Sequence, residues 1–575
     1  VEFCKAPSLG IAAGSLDAGN ALISGARKLR ASLPAPADLI PPWRTHAAAA
    51  SPGLRGKTQT LCPLSPRRIL FSVRKTTATF DFDVAILGAG SAGYAAARTA
   101  AGAGLKTVVI EGGDEVGGLC ILRGCMPSKA LLYAAEVLHL ARKADTWGLK
   151  VKSAGFNFAR VMQRKAKMIA GFADYRRDQL QSGKFKFIRA HAKFLDPHTL
   201  ELRSHNPFAT ADIRRRNGPQ ESASLRRRLQ SGDGAADERT HRLTARYFII
   251  ATGSVIAPPP LPSLAEVGYL TSDHALSLKK LPKSLIVLGG GAIACELAQF
   301  FARFDVRVTM IQRSPHILKE FDEDAARVIE TVFRREGIRL FTGTRLLDAR
   351  RAGKQKVVSF EHAGRIVRVQ ADEILFALGR TPNTASLALD CADVQMEQGR
   401  IVTNARMQTS TRHIFAAGDC TGPHEIVHIA IQQAEVAAHN LAHPRKPRTV
   451  DYRLLTSVVF TDPQVATVGL TEKVALARKI PFLVASYPFN DHGKSLIMEA
   501  LDGFVKLLAD PQSGEILGGA CVGPMGGELI HEINTAMTKR MTVQELAATP
   551  HYHPTLAEIW TYPAEELAEG VLAGE

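Results

Sequence analysis

Phe82-Asp83-Val84-Ala85-Ile86-Leu87, running into Gly88-Ala89-Gly90-Ser91-Ala92-Gly93, decides the fold of this 575-residue chain. The first six residues are a short apolar run that reads as a buried strand. The glycines make a turn, an Ala-rich stretch reads as a helix, and a second strand, Lys106 to Ile110, ends at Glu111. The plan recurs further on. Ser284 to Leu288 leads into Gly289-Gly290-Gly291-Ala292-Ile293-Ala294, a helix to about Phe304, and a strand from Val306 to Ile311. From the first glycine to Glu111 or to Gln312 is 23 residues in both copies. In each copy the first two glycines (Gly88 and Gly90, Gly289 and Gly291) let the backbone approach a pyrophosphate, whose charge meets the open N–H groups of a helix N-terminus. The third position, Gly93 or Ala294, lies close to the strand and must be small. Two copies at one spacing predict two dinucleotide-binding units in one chain.

Working outward, the composition is globular, with 46% hydrophobic and 22% charged residues, which excludes whole-chain disorder and collagen-like structure. The longest uncharged apolar run, Leu285 to Cys295, is too short to span a membrane. Eight cysteines are too sparse for a secreted disulfide scaffold. A cytoplasmic multidomain protein is expected. The formal charge of +17 is concentrated: residues 1–79 carry a net +8 and residues 203–246 a net +5. The near-neutral body argues against a nucleic-acid partner. Residues 1–79 read as a basic tail, rich in Ala, Pro, Ser and Arg and without a helical or strand period. They are expected to be a disordered tail or a mispredicted start, with an organellar transit peptide, given their basicity and few acids, as the other reading. Residues 204–241, with Arg214–Arg216, Arg226–Arg228 and Ser231-Gly232-Asp233-Gly234, read as a long surface insertion between two strand-like pieces.

The two copies differ where the ligand is chosen. Glu111 offers a carboxylate to two ribose hydroxyls, as suits the adenosine half of FAD or NAD. The second copy has Gln312 there, followed by Arg313, with Lys319 six residues on. A carboxylate would repel a 2′-phosphate and an arginine can pair with it, so NADP is favoured over NAD.

Between the first copy and its next helix stands Gly117-Gly118-Leu119-Cys120-Ile121-Leu122-Arg123-Gly124-Cys125-Met126-Pro127-Ser128-Lys129. Two cysteines five apart can be unrelated buried residues. On a regular helix their Cα atoms would lie about 8–9 Å apart, whereas a disulfide needs about 4.4–6.8 Å. If bonded, they sit on a distorted segment, for which Gly124 and Pro127 supply the means, and such a disulfide is of the reducible kind. No second pair at zinc-like spacing suggests a metal. Near the other end, His551-Tyr552-His553-Pro554 is followed by Glu558. Pro554 can open a helix, and Glu558, one turn in, can reach back to orient the His553 imidazole. Alone, the His-Pro pair suits an ordinary turn equally well.

These residues carry a resemblance. Over about residues 80–575, less the insertion, the chain resembles the class I pyridine nucleotide–disulfide oxidoreductases, which include dihydrolipoamide dehydrogenase, glutathione reductase and mercuric reductase. The matching pieces are GAGSAG at 88–93, GGxCxxxGCxPSK at 117–129, Ala251-Thr252-Gly253, GGGAIACE at 289–296, Leu378-Gly379-Arg380-Thr381-Pro382-Asn383, Ile414-Phe415-Ala416-Ala417-Gly418-Asp419 and His551 to Glu558. The resemblance implies an α/β fold with two Rossmann-like dinucleotide-binding domains and a C-terminal α+β dimerisation domain. It places an FAD domain at 80–203 and 242–273, an NAD(P) domain at 274–378, a second FAD segment at 379–445 and an interface domain at 446–575 of a homodimer.

It also implies residue roles. Hydride passes from NAD(P)H to FAD and on to a Cys120–Cys125 disulfide. Cys120 is the outer thiol that exchanges with substrate and Cys125 faces the flavin. Lys129 sits near the flavin, paired with Glu296, and Asp419 bonds the ribityl chain. Gly118, Thr252, Gly253 and Gly379 lie along the cofactor turns, and His553 with Glu558 serves as acid and base for Cys120.

Departures from the family pattern are Leu119, Leu122 and Arg123, where Thr, Asn and Val are common; Arg123 is expected to favour a thiolate by its charge. Ala294 in place of a third glycine resembles NADP-dependent members. The Glu296–Arg303 helix looks like that of mercuric reductases, but the last cysteine is Cys521, with no terminal cysteine pair for mercury. The expectation is therefore a dihydrolipoamide dehydrogenase-like enzyme acting on a small disulfide or dithiol. A glutathione-type disulfide reductase and a mercuric reductase are the alternative enzymes, and a flavoprotein scaffold or basic nucleic-acid binder the non-enzymatic rival.

Overall fold

The computed structural model describes residues 79–203 and 240–572, and both glycine-rich repeats form parallel sheets within it. Phe82–Leu87 lies between Thr107–Glu111 and the second half of Thr240–Ile250, parallel to both. Lys186–Arg189 extends one side, and Ile414–Ala416 returns from far along the chain to pair with Thr240–Ile250. The helix Ser91–Gly102 covers this sheet with Ala92, Ala95, Ala96, Ala97 and Ala100, and packs on Val427–Ala442 through Ala430, Ala434, Ala437 and Ala438. Methyl-sized side chains on both helices let them approach closely, so a core forms with little bulk.

Thr240–Ile250 does double duty. Its first half pairs antiparallel with Thr199–Arg203, with Arg203 opposite Thr240. The expected insertion thus connects two paired strands, and Thr240 and His241 belong to the sheet. Residues 204–239, like most of the basic tail at 1–79, lie outside the described residues.

The second repeat builds a four-stranded parallel sheet from Arg339–Phe341, Arg307–Ile311, Ser284–Leu288 and Glu373–Phe376. A three-stranded antiparallel meander, 345–371, follows its second helix. The C-terminal unit is a five-stranded antiparallel sheet, with helices Gly526–Thr538 and Thr561–Leu572 packed around fully buried Trp560. Two short strands, Ser254–Ile256 and Arg380–Pro382, pair antiparallel. Gly253 (φ 69°) and Gly379 (φ 121°) precede them in a backbone region that only glycine enters readily.

The third turn position separates the repeats. A Cβ on Gly93 would lie 1.9 Å from the Gly88 carbonyl oxygen, which no packed structure tolerates. Ala294, at the matching place, is buried with its methyl accommodated. Gly93→Ala must push its helix off the strand, so the purified variant should lose most of its FAD. Ala294→Gly should cost only about 1 kcal/mol. Flavin-to-protein absorbance and thermal melts read both, and equal behaviour of the two variants would remove the steric account.

Candidate active site

The cysteine segment is two helices with a break. Gly118–Leu122 is one, and Cys125–Arg142 the other. Gly118 (φ 76°) presses on the first phosphate-type turn, because a Cβ there would lie 2.5 Å from Gly90 Cα. Arg123 (φ −141°) and Gly124 (φ −133°) leave the helical path, and a Cβ on Gly124 would come within 2.9 Å of the Leu119 carbonyl oxygen. Gly124 therefore makes the break. Pro127 does not: it sits in the first turn of the second helix, where its missing N–H has no intrahelical partner to lose.

The break brings Cys120 and Cys125 into hydrogen-bond contact. The bond from Cys120 lowers the Cys125 thiol to about 7, helped by the Lys129 charge and opposed by burial. Cys120, which keeps the proton in that bond, is pushed up. Arg123 is not the source of the effect expected of it. Its guanidinium is turned to Glu115 (3.3 Å) and Asp273 (3.5 Å), and the nearby positive charge is Lys129.

Lys129 lies one turn into the second cysteine helix. Its Nζ donates to both oxygens of Glu296, at 2.9 and 2.8 Å, and stands 4.4 Å from the Phe460 ring centre. Glu296 is 4% exposed and also accepts from the Phe460 N–H at 3.0 Å. This one carboxylate ties the first repeat, the second repeat and the C-terminal unit together. Phe460 carried no signal in the sequence, because its part is played by a backbone N–H and a ring face.

The first repeat presents what a flavin dinucleotide needs. The Glu111 carboxylate accepts from the N–H groups of Ala89 (2.8 Å) and Gly113 (2.7 Å) at the strand end. Gly90 and Gly291 both begin 12-residue helices without a side-chain cap, which leaves first-turn N–H groups for an anion. Thr252 Oγ1 is buried with no partner among the described residues, an orphan that a bound polar group would satisfy. Asp419 accepts from Ser254 Oγ at 2.6 Å, and Arg380 holds that same serine through its hydroxyl (2.8 Å) and carbonyl (2.7 Å). Both crossover strands thus position Asp419. These residues fit FAD.

In the second repeat the Glu111 counterpart behaves differently. Gln312 is buried over Gly290 and donates to the His316 carbonyl (3.5 Å). Arg313 beside it is exposed. Lys319 has its ammonium 3.4 Å from Glu320.

At the far end of the chain, His553 Nδ1 lies 2.9 Å from Glu558 Oε2, as the spacing suggested. Pro554 does not begin a helix. The helical turn starts at Ala557 and is a short 3₁₀ piece to Trp560, which buries Glu558 and turns it back. The His553 side chain is 78% exposed, with only its inner nitrogen engaged. His551 instead faces inward to Glu532 at 2.6 Å. Behind Glu558 stands fully buried His492, which sequence reading missed because it is 66 residues away with no motif of its own.

Two Rossmann-like units sharing a dithiol, closed by an antiparallel C-terminal unit with a His–Glu pair, define a flavin- and nicotinamide-linked dithiol–disulfide oxidoreductase architecture. Residues 82–434 match the model for pyridine nucleotide-disulphide oxidoreductase, and residues 455–564 that for its dimerisation domain. The chain belongs to the class I pyridine nucleotide–disulfide oxidoreductase family and is an FAD-dependent enzyme of that family. It is 34% identical over 482 residues to dihydrolipoyl dehydrogenase of Bacillus subtilis, covering 83% of this chain and 96% of that one. It is 31% identical over 480 residues to mercuric reductase of Staphylococcus aureus, covering 83% and 81%. The crystal structure of LpdA from Mycobacterium tuberculosis superposes with a TM-score of 0.71 at 27% identity, covering 84% of this chain and 99% of that chain. Among the described residues no helix is long and apolar enough to cross a membrane, and no cluster of three or more His, Cys, Asp or Glu could hold a metal.

Proposed function

We propose that the protein is an NADPH-preferring reductase of a small disulfide, with Cys120 as exchanging thiol, Cys125 as inner thiol and His553 of the partner subunit as acid–base group. The observation that carries this reading is the helix break, which brings the Cys120 and Cys125 thiols into hydrogen-bond contact on a segment whose Gly118 packs against Gly90. Bound FAD supplies the two-electron link between the nicotinamide and the cysteine pair. Cys120 gives its proton to His553 and, as thiolate, attacks one sulfur of the substrate disulfide and forms a mixed disulfide. The departing thiolate takes a proton from His553. The Cys125 thiolate then attacks the Cys120 sulfur, closing the Cys120–Cys125 bond and releasing the second substrate thiolate. The Lys129 charge, which also lowers Cys125, favours its thiolate for that step. Lys129 and Glu296 set the charge beside it. Gly88, Gly90, Gly93, Glu111, Gly118, Thr252, Gly253, Gly379 and Asp419 hold FAD; Gly289, Gly291, Ala294 and Arg313 hold the nicotinamide dinucleotide.

NADPH preference rests on the contrast between Glu111, whose carboxylate grips the turn of its repeat, and Gln312, which folds away and leaves Arg313 free to meet a 2′-phosphate. Arg313→Glu should move the ratio of kcat/KM for NADPH over NADH toward NADH by about tenfold or more, ~1.4 kcal/mol of differential binding. An unchanged ratio would make Arg313 a surface charge only. Steady-state assays of lipoamide, glutathione disulfide, other small disulfides and Hg²⁺, each with NADPH and with NADH, test the whole reading. Turnover of Hg²⁺ alone would defeat it.

A further inference from the structure

Glu558 faces two imidazoles at once. One carboxylate oxygen meets His553 Nδ1 at 2.9 Å, and the other lies 3.4 Å from His492 Nε2, in ion-pair range but outside hydrogen-bond alignment. His492 has no exposed surface, and its Nδ1 sits 2.8 Å from the Ser495 hydroxyl. The buried ring is thereby pinned from behind, with its far nitrogen on the side of the carboxylate. Other titratable groups surround it: Tyr562 of the last helix, 6.3 Å away between ring centres, and Tyr487, which stacks on Tyr562 and bonds Asp491. Phe489 adds only an apolar edge. Glu558 is the one carboxylate facing Nε2 among the described residues.

Burial pushes His492 below the ordinary histidine range, while Glu558 pulls the other way. At neutral pH the ring is then uncharged and offers Glu558 an N–H dipole, not a competing cation. We propose that His492 is a positioning residue, which holds the Glu558 carboxylate against His553 and so sets the pH at which His553 exchanges its proton. The inference rests on the reading of His553 as the acid–base group. A dipole sharing the carboxylate's charge leaves less of it for His553. Removing that dipole concentrates the charge and favours the protonated form of His553.

The experiment is a pH titration of His553 by NMR in FAD-loaded, ¹³C-histidine-labelled protein, its signal assigned by loss in His553→Gln. In His492→Leu the midpoint should rise by about half a pH unit, about threefold in proton affinity. His492→Gln, which keeps an N–H donor, should stay near wild type. Ser495→Ala should move in the same direction as His492→Leu, and it reads the coupling should His492→Leu fail to retain FAD. The pH profile of kcat/KM for the best disulfide of the panel should shift by the same amount. An unmoved His553 midpoint in His492→Leu, or in Ser495→Ala if the former does not fold, overturns the proposal. Normal disulfide turnover by His553→Gln would instead overturn the acid–base reading, whatever the NMR coupling shows.

Discussion

Mixing two inactive homodimers, His553→Ala and Cys120→Ser, and letting their subunits exchange should restore about a quarter of wild-type disulfide turnover. Each parent should lose about two to four orders of magnitude, the usual scale for removing an acid–base group, or more for a nucleophile. The expectation starts from the single chain, where the His553 ring is 78% exposed and its inner nitrogen is already committed to Glu558. Such an imidazole is oriented but has its working edge directed outward. The C-terminal unit that carries it matches a dimerisation domain, and in the proposed mechanism the group it serves is the Cys120 of a second copy. A mixed dimer then holds one good site, with wild-type Cys120 from one chain and wild-type His553 from the other. At statistical exchange half the dimers are mixed and one of their two sites works, hence the quarter. No recovery after proven exchange would put the base and the cysteines in the same chain.

Lys129→Met should destabilise the protein by about 3 kcal/mol and make Cys125 harder to ionise. Removing one partner of a buried ion pair costs about 3–5 kcal/mol, because the other charge stays behind uncompensated. The low end applies, since Lys129 is 32% exposed and the Phe460 N–H still serves Glu296. The thiol effect has a definite sign. Cys125 is depressed from 9.0 to about 7, so its ionisation stabilises the fold fully above pH about 9 and this contribution is lost as pH falls through about 7. Without the Lys129 charge that window narrows from its low-pH side. Iodoacetamide alkylation of Cys125 in a Cys120→Ser background, followed against pH, should show a higher midpoint in Lys129→Met. A double variant, Lys129→Met with Glu296→Leu, should recover much of the melting temperature, because the stranded carboxylate is gone. Equal melting of the single and double variants would mean that the pair contributes by packing alone.

Much of this molecule was legible along the chain because its signals are local. Strand, glycine turn and helix are adjacent in sequence, and steric need for glycine at Gly88, Gly93 and Gly118 is written into short stretches. The Cys120–Cys125 spacing implied a break, and Gly124 supplies it. The errors are also physical. In the sequence Pro127 and Pro554 look like conformational agents, yet proline only permits what its neighbours decide. Pro127 is absorbed into a first helical turn, and Pro554 lies ahead of a helix that Ala557 begins. Proximity in sequence suggests a thiolate effect for Arg123, but a long side chain goes to the carboxylates it can reach, here Glu115 and Asp273.

The sequence by itself determined the two nucleotide folds, the dithiol and the family, since each is carried by short motifs whose residues are close along the chain. The tertiary structure alone decided how the charges are shared. Only folding brings Lys129, Glu296 and Phe460 together across more than three hundred residues, sets Ser254 between Asp419 and Arg380, and buries His492 behind Glu558. Coulomb and hydrogen-bond energies depend on distance and burial, which sequence spacing does not encode for side chains on different elements. That is why the thiols could be named from the chain, while the groups that set their protons could not.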